Sequence, residues 1–252
     1  ARRLEFAEVY ARSGKANYMA FNYQQSADDY EQAYEQARRW DDWAAWSYRG
    51  NQAVALQSLG WRGGHTEKLM EALDLARDIV RMAEDLPDRS DLALSQLFLG
   101  NTLMTAGQRL DDLDLLRESI DVYEAAMPVF DETGMIHSSS LQDVMYNLAG
   151  AMSQLAKRRN DEALLKDAVD RFASLVERTS RTEEPAVWAR TVRAQATAMT
   201  DLAAIDRDGD LTREAIRLLE ESLAAYGRED DLDQWVDTMQ ALGNAQSNLG
   251  IF

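Results

Sequence analysis

The sequence has no cysteine, which removes disulfides, thiolate nucleophiles and thiolate metal sites together. Such a composition fits a reducing cytoplasm, the compartment expected here. Histidine occurs only at His65 and His137, so imidazole chemistry has little to draw on. No apolar run approaches the roughly 20 residues that a membrane helix needs. The N-terminus lacks the basic start, apolar core and small-residue cleavage site of a signal peptide. Stretches rich in proline, serine or glycine are missing too, and nothing reads as a linker. Basic residues are in short supply, 27 against 44 acidic ones, for a net charge of −17. A field of that sign repels phosphate backbones and anionic lipid heads, so neither nucleic acid nor membrane is an expected partner. It keeps a large helical surface soluble and would steer a basic protein or peptide inward.

What the chain does have is 46% hydrophobic residues, enough to exclude disorder, and an internal repeat. Five small anchors, Gly60, Gly107, Ala156, Ala203 and Gly250, follow one another at steps of 47, 49, 47 and 47. Seven residues before them stand Ala53, Gly100, Ala149, Ala196 and Gly243, two helical turns earlier on the same face. Twelve residues after the first four anchors come Ala72, Ser119, Ala168 and Ala215, then a large apolar residue at Leu73, Ile120, Val169 and Ile216. Apolar residues recurring at steps of three, four and seven mark one stripe of an amphipathic helix. Alternation of period two, the mark of a strand, is missing.

Each unit therefore reads as a helix, a short polar break and a second helix. The breaks are Gly60 to His65, Lys157 to Asn160 and Asp206 to Asp210, where glycine and asparagine accept left-handed backbone and aspartate caps the next helix. The periodicity predicts eleven helices, over 3–13, 16–39, 41–59, 65–84, 89–107, 111–130, 138–157, 161–179, 184–205, 210–226 and 231–249. Residues 1–252 are expected to form one repeat domain with units at 1–40, 41–86, 87–133, 134–181, 182–229 and a partial 230–252. In the first pair, Ala7, Gly14, Ser26 and Tyr30 fit the register, with a step of 46 from Gly14 to Gly60. One pair cannot bury its apolar face alone, so the units stack on a continuous core.

Small residues eight and twenty positions into a helix pair, with an aromatic four further on, resemble the tetratricopeptide repeat. The phrases Leu59-Gly60, Leu69-Met70-Glu71-Ala72-Leu73 and Leu99-Gly100-Asn101-Thr102-Leu103 look like its long-unit bacterial variety, over about 41–250. The unit is longer than that family's usual one and lacks its closing proline. The resemblance implies an all-α fold, a right-handed superhelix of tandem antiparallel helix pairs (a TPR-like α-solenoid), whose first helices line a concave groove for a peptide or helix. It also implies a setting beside an effector such as a caspase-like protease or an ATPase.

Catalytic material is thin, and an enzyme is not expected. His137 beside Ser138, Ser139 and Ser140 is better read as a helix cap than as a nucleophile with its base. Asp206-Arg207-Asp208-Gly209-Asp210 resembles a calcium loop, but its glycine is misplaced and Arg217 stands where a bidentate glutamate belongs, so capping is the reading. Paired acids at Asp41-Asp42, Asp111-Asp112, Glu183-Glu184 and Asp230-Asp231 each fall at a predicted helix start, where negative charge meets the dipole. No metal or cofactor is expected. The six tryptophans are read mostly as packing, with Trp188 and Trp235 in equivalent places. The resemblance carries the groove onto Asn101, Asn244, Gly150, Thr197 and Val54, with Asn51, Asn147, Arg190, Arg193 and Gln240 as inward neighbours. Of these, Asn101, Asn147 and Asn244 are expected to stand exposed and unengaged. The expected function is a protein- or peptide-binding scaffold within a larger protein, with a sensor segment controlling a fused effector, or a small-ligand receptor, as alternatives.

Overall fold

The structure, a computed structural model, describes residues 2–135, 139–226, 229 and 231–250. Among these residues there are eleven helices and no strand. They are α1 (Arg2–Met19), α2 (Tyr23–Ala37), α3 (Asp42–Gly63), α4 (Thr66–Glu84), α5 (Arg89–Leu110), α6 (Leu113–Glu132), α7 (Ser139–Arg159), α8 (Glu162–Arg178), α9 (Pro185–Asp206), α10 (Gly209–Ala225) and α11 (Leu232–Leu249). The chain divides into two compact units, one over residues 1–141 and the other over 142–252.

The same hairpin recurs within both units. Four residues past Gly60, Gly107, Ala156 and Ala203, the backbone turns left-handed at Gly64, Asp111, Asn160 and Arg207. After three of these, the next amide reaches back to the anchor's carbonyl: Asp112 to Gly107 at 2.9 Å, Asp161 to Ala156 at 2.9 Å and Asp208 to Ala203 at 3.0 Å. These backward bonds satisfy carbonyls that a helix end leaves open. Each aspartate then accepts from the first amides of the following helix, Asp112 from Asp114 and Leu115, Asp161 from Leu164, and Asp208 from Asp210 and Leu211. One residue thus closes one helix and opens the next.

Two anchor glycines serve close approach rather than termination. Helix α3 runs past Gly60 to Gly63, so the break begins at Gly64 rather than at Gly60. A Cβ on Gly60 would stand 2.8 Å from the Leu69 amide nitrogen, and one on Gly107 would stand 2.9 Å from that of Leu116. The first pair turns later than predicted. Helix α1 passes through Gly14 to Met19; Phe21 takes the left-handed turn at φ 62°, and the Asn22 amide reaches back to Asn17 at 2.9 Å. The packing still counts from Gly14, since Ala7, Gly14, Ser26 and Tyr30 are all buried, but the left-handed turn at Phe21 falls three residues later than that register sets. Asn17 needs a polar neighbour, and the buried Asp29 supplies one, taking bonds from Ser13, Asn17 and Gln25 at 2.7, 2.9 and 3.1 Å.

In the first unit the core alternates small and large residues, as in Leu73, Ala76, Leu99 and Leu103 between α4 and α5. In the second, Ala149, Ala156, Leu165, Phe172, Ala198 and Leu202 join α7, α8 and α9, and Ala196, Met199, Ala215, Leu219, Leu242 and Ala245 join α9, α10 and α11. The small residues let helices approach, and the large ones fill the grooves that remain.

Candidate functional site

In the first unit, the first helices of the pairs, α1, α3 and α5, stand side by side and are tied by side chains. Tyr18 and Ser58 hydroxyls meet at 3.1 Å, Trp46 Nε1 donates to Ser95 Oγ at 2.9 Å, and Gln57 Nε2 donates to Thr102 Oγ1 at 3.2 Å. Along this wall lie three clefts. One of about 600 Å³ lies between α1 and α3, lined among others by Lys15, Tyr18, Tyr48, Asn51 and Val54. Asn51 and Val54 also line a second, of about 230 Å³, with Trp46, Gly50, Leu94 and Phe98. The third, of about 340 Å³, is bounded by Gln57, Ser58, Trp61, Arg62 and Thr105 near the C-terminal ends of α3 and α5. The shared residues make the first two one continuous groove. Burial pushes the Tyr30 and Tyr48 phenols above their ordinary range, so both stay neutral donors.

Every predicted groove residue falls on a first helix, but their surroundings differ. Asn51 is exposed on α3, and its amide donates to the Ser47 carbonyl at 2.7 Å. Val54 lines the groove beside it. Asn101, on α5, is not free as expected: it is half-buried and its Oδ1 accepts from the Tyr123 hydroxyl at 2.7 Å. Asn147, on α7, is likewise half-buried and engaged within the fold. For Asn101 the reason is the register that suggested it, since the residue after a small position reaches the second helix's large side chain, here Tyr123. Asn244 and Gln240 are exposed on α11.

Arg190 and Arg193 act as braces within the second unit. Arg190 lies 3.5 Å from Asp143 of α7 with its guanidinium 4.4 Å from the Tyr146 ring, and Arg193 lies 3.6 Å from Asp237 of α11. Asp143, Arg190 and Asp237 recur at steps of 47, so the ladder is the repeat register expressed in charge.

The expectation for tryptophan needs a correction. Trp188 is buried, but Trp40, Trp43 and Trp61 are 66%, 57% and 52% exposed. Trp40 lies in the turn after α2, Trp43 opens α3, and Trp61 stands near the end of α3 with Arg109 of α5 beside its ring. Residues missed in the sequence include Tyr18, Tyr48, Gly50, Gln57, Trp61 and Arg62. Following the face of Asn51 along α3 in steps of three and four would have reached Ser47, Val54, Ser58 and Trp61.

Elsewhere the polar clusters are structural. Asp41 caps α3 through the Ala44 amide at 2.8 Å, Asp231 caps α11 through Gln234 at 3.0 Å, and Pro185 opens α9. Glu184 precedes α9 without a side-chain cap bond. His137, Ser138 and Asp230 lie outside the described residues, as do Ile251 and Phe252. Among the described residues no group of three or more His, Asp or Glu side chains is placed to hold a metal ion, and no helix is long and apolar enough to cross a membrane.

No protein-family model matches the chain, and no curated protein matches it in sequence. Solved structures do match. A kinesin light chain-like protein of Podosopora anserina with nearly identical TPR-like repeats is similar over 89% of this chain and 96% of its own, at 17% identity and a TM-score of 0.62, in a substituted form. Another structure of that protein gives 18% identity and a TM-score of 0.54, over 89% of this chain and 93% of its own. A signal-transduction ATPase of Pyrococcus horikoshii with a tetratricopeptide repeat sensor is similar over 99% of this chain and 37% of its own, at 15% identity and a TM-score of 0.60. At such identities the likeness is one of fold, and the fold is that of TPR-like helical pairs.

Proposed function

We propose that this TPR-like repeat is a protein- or peptide-binding scaffold, and that its docking surface is the wall of first helices in the unit formed by residues 1–141. The observation that carries the reading is the groove itself. Tyr48, Asn51, Val54, Trp46 and Phe98 leave an open, mixed apolar and polar channel on one side of α3, while the second helices present ion-paired charge. Mixed surfaces with aromatic anchors are what protein recognition uses. Gly50 lies on the floor, where a Cβ would meet nothing within 4 Å. The same reading takes residues 1–252 as one repeat domain, on the strength of the shared register, and treats the chain as non-catalytic and cytoplasmic, in keeping with its lack of cysteine.

Gly50 gives the test. Gly50→Trp fills the groove without touching the fold, and Asp74→Trp places the same bulk on the exposed side of α4. A partner recovered with the wild-type chain, then titrated against both variants, should lose affinity for Gly50→Trp and keep it for Asp74→Trp. The opposite pattern would move the function to the second helices.

A second reading, the sensing segment of a longer chain with an effector such as a caspase-like protease or an ATPase, is favoured by the likeness to the repeat sensor of a signal-transduction ATPase. The full-length gene product decides it: an effector domain beside the repeats supports it, and a chain of repeats alone contradicts it.

A further inference from the structure

We infer that the chain joins to further copies of itself, the uncovered face of α1 in one copy seated on the uncovered face of α11 in the next. This contact is separate from the groove. Helix α11 carries an open apolar stripe: Leu232, Val236 and Met239 are 52%, 48% and 41% exposed, and a Cβ on Gly243 would meet nothing within 4 Å. Steps of four, three and four keep these residues on one face. In α9, 47 residues earlier, Ala189, Val192 and Ala196 hold the places of Val236, Met239 and Gly243, and all three are buried. There α10 covers them, with Leu218 and Ala225 over the first two and Ala215 and Leu219 over the third. Among the described residues nothing covers that face of α11. Helix α1 has a matching opening. Phe6, Val9 and Tyr10 are 59%, 60% and 37% exposed, whereas the residues 46 later in α3, Gln52, Ala55 and Leu56, are buried. Ala27 of α2 packs on Ala55 and Leu56, and among the described residues α1 has no helix in that place.

Charge decides which faces meet. Within a molecule of net charge −17, α1 holds four cations, Arg2, Arg3, Arg12 and Lys15, against two carboxylates, Glu5 and Glu8. Glu8 is taken by Arg12 at 3.0 Å. Helix α11 has no lysine or arginine; Asp231 caps it, and Asp233 and Asp237 stand exposed. Among the described residues Arg2, Arg3, Lys15 and Asp233 form no ion pair, and Asp237 has the long 3.6 Å approach of Arg193. Two copies of α11 face to face would set Asp233 and Asp237 against their own counterparts. Two copies of α1 would set cation against cation. One α1 on one α11 buries apolar surface from both and answers each charge with its opposite. The contact is therefore heterologous, with a different face given by each copy.

The experiment follows the full chain by sedimentation velocity over a concentration series at low and high salt. Wild type should associate as concentration rises, and salt should shift the series toward monomer. Val236→Glu with Met239→Glu spoils the α11 face, and Phe6→Glu with Val9→Glu spoils the α1 face. All four positions are exposed, so helix content and melting temperature should stay near wild type, which circular dichroism checks. Each double variant alone should associate roughly thirtyfold more weakly or worse. Mixed in equal amounts, the two should recover a dimer, because one brings a sound α1 and the other a sound α11. Wild type that stays monomeric leaves the two stripes to other segments and overturns the proposal, as does a mixture that stays monomeric. Association lost with the α11 changes but kept with the α1 changes would mean that α11 pairs with itself, which overturns it too. Gly50→Trp should associate as wild type does. If it does not, the copies meet through the groove, and the proposal falls while the groove reading stands.

Discussion

Small residues mean two different things in this chain, and the structure separates them. A Cβ on Gly100 would stand 2.4 Å from the buried Tyr123 ring, whereas one on Gly50, Gly150 or Gly243 would meet nothing within 4 Å. The sequence pattern treats Gly100 and Gly243 as one class because the register places them alike, and it holds no information on the size of the residue opposite. Gly50→Ala should stabilise the fold by about 0.5–1 kcal/mol, because glycine in a helix interior costs backbone entropy. Gly100→Ala should destabilise it by about 1–3 kcal/mol, since the Tyr123 ring is fully buried and cannot retreat. Urea denaturation of the two variants checks both signs at once. Tyr123 also decides the fate of Asn101, whose Oδ1 accepts its hydroxyl. Tyr123→Phe should cost about 1 kcal/mol of stability, read in the same denaturation.

Helix number and length were legible because the stripes run for many turns, and the breaks were legible where glycine or asparagine takes the left-handed turn, at Gly64 and Asn160. Asp111 and Phe21 take the same turn without advertising it, because there the backward hydrogen bonds from Asp112 to Gly107 and from Asn22 to Asn17 hold the conformation. The predicted bounds of the first pair went astray because its turn falls at Phe21, three residues later than the Gly14 register sets. Caps should matter accordingly. Asp112→Ala removes the acceptor of two amides and should cost about 1 kcal/mol, measurable as a lower melting temperature. At the start of α5, bonds from the Ser90 amide and hydroxyl hold the Asp88 carboxyl below the usual carboxylate range. A carboxylate whose folded pKa is depressed adds stability above its unfolded pKa and loses it as pH falls through the folded value. The melting temperature of Asp88→Ala should therefore trail wild type at neutral pH and converge on it in acid; a constant gap would refute the linkage.

For the whole molecule, the repeat architecture was readable from a few dozen positions, but the partner-facing chemistry was not. Net charge is a sum over every surface, and it pointed to a basic partner. The groove of the first unit is a local exception, where Lys15 lines one cleft and Arg62 another, with Arg109 beside Trp61 at the place equivalent to Arg62, 47 residues on. Asn51 and Val54 were readable because they sit in register; Trp61 was not, since Gln108 and Lys157 hold its place in the next units. The account's central claim is that partners dock on the first-helix wall of residues 1–141. The most direct measurement places a photo-crosslinking side chain at Asn51 on α3 and, separately, at Asp74 on α4, both exposed, and exposes each to the same partner under light. The account predicts a covalent adduct from position 51 and none from position 74. An adduct from position 74 alone would contradict it.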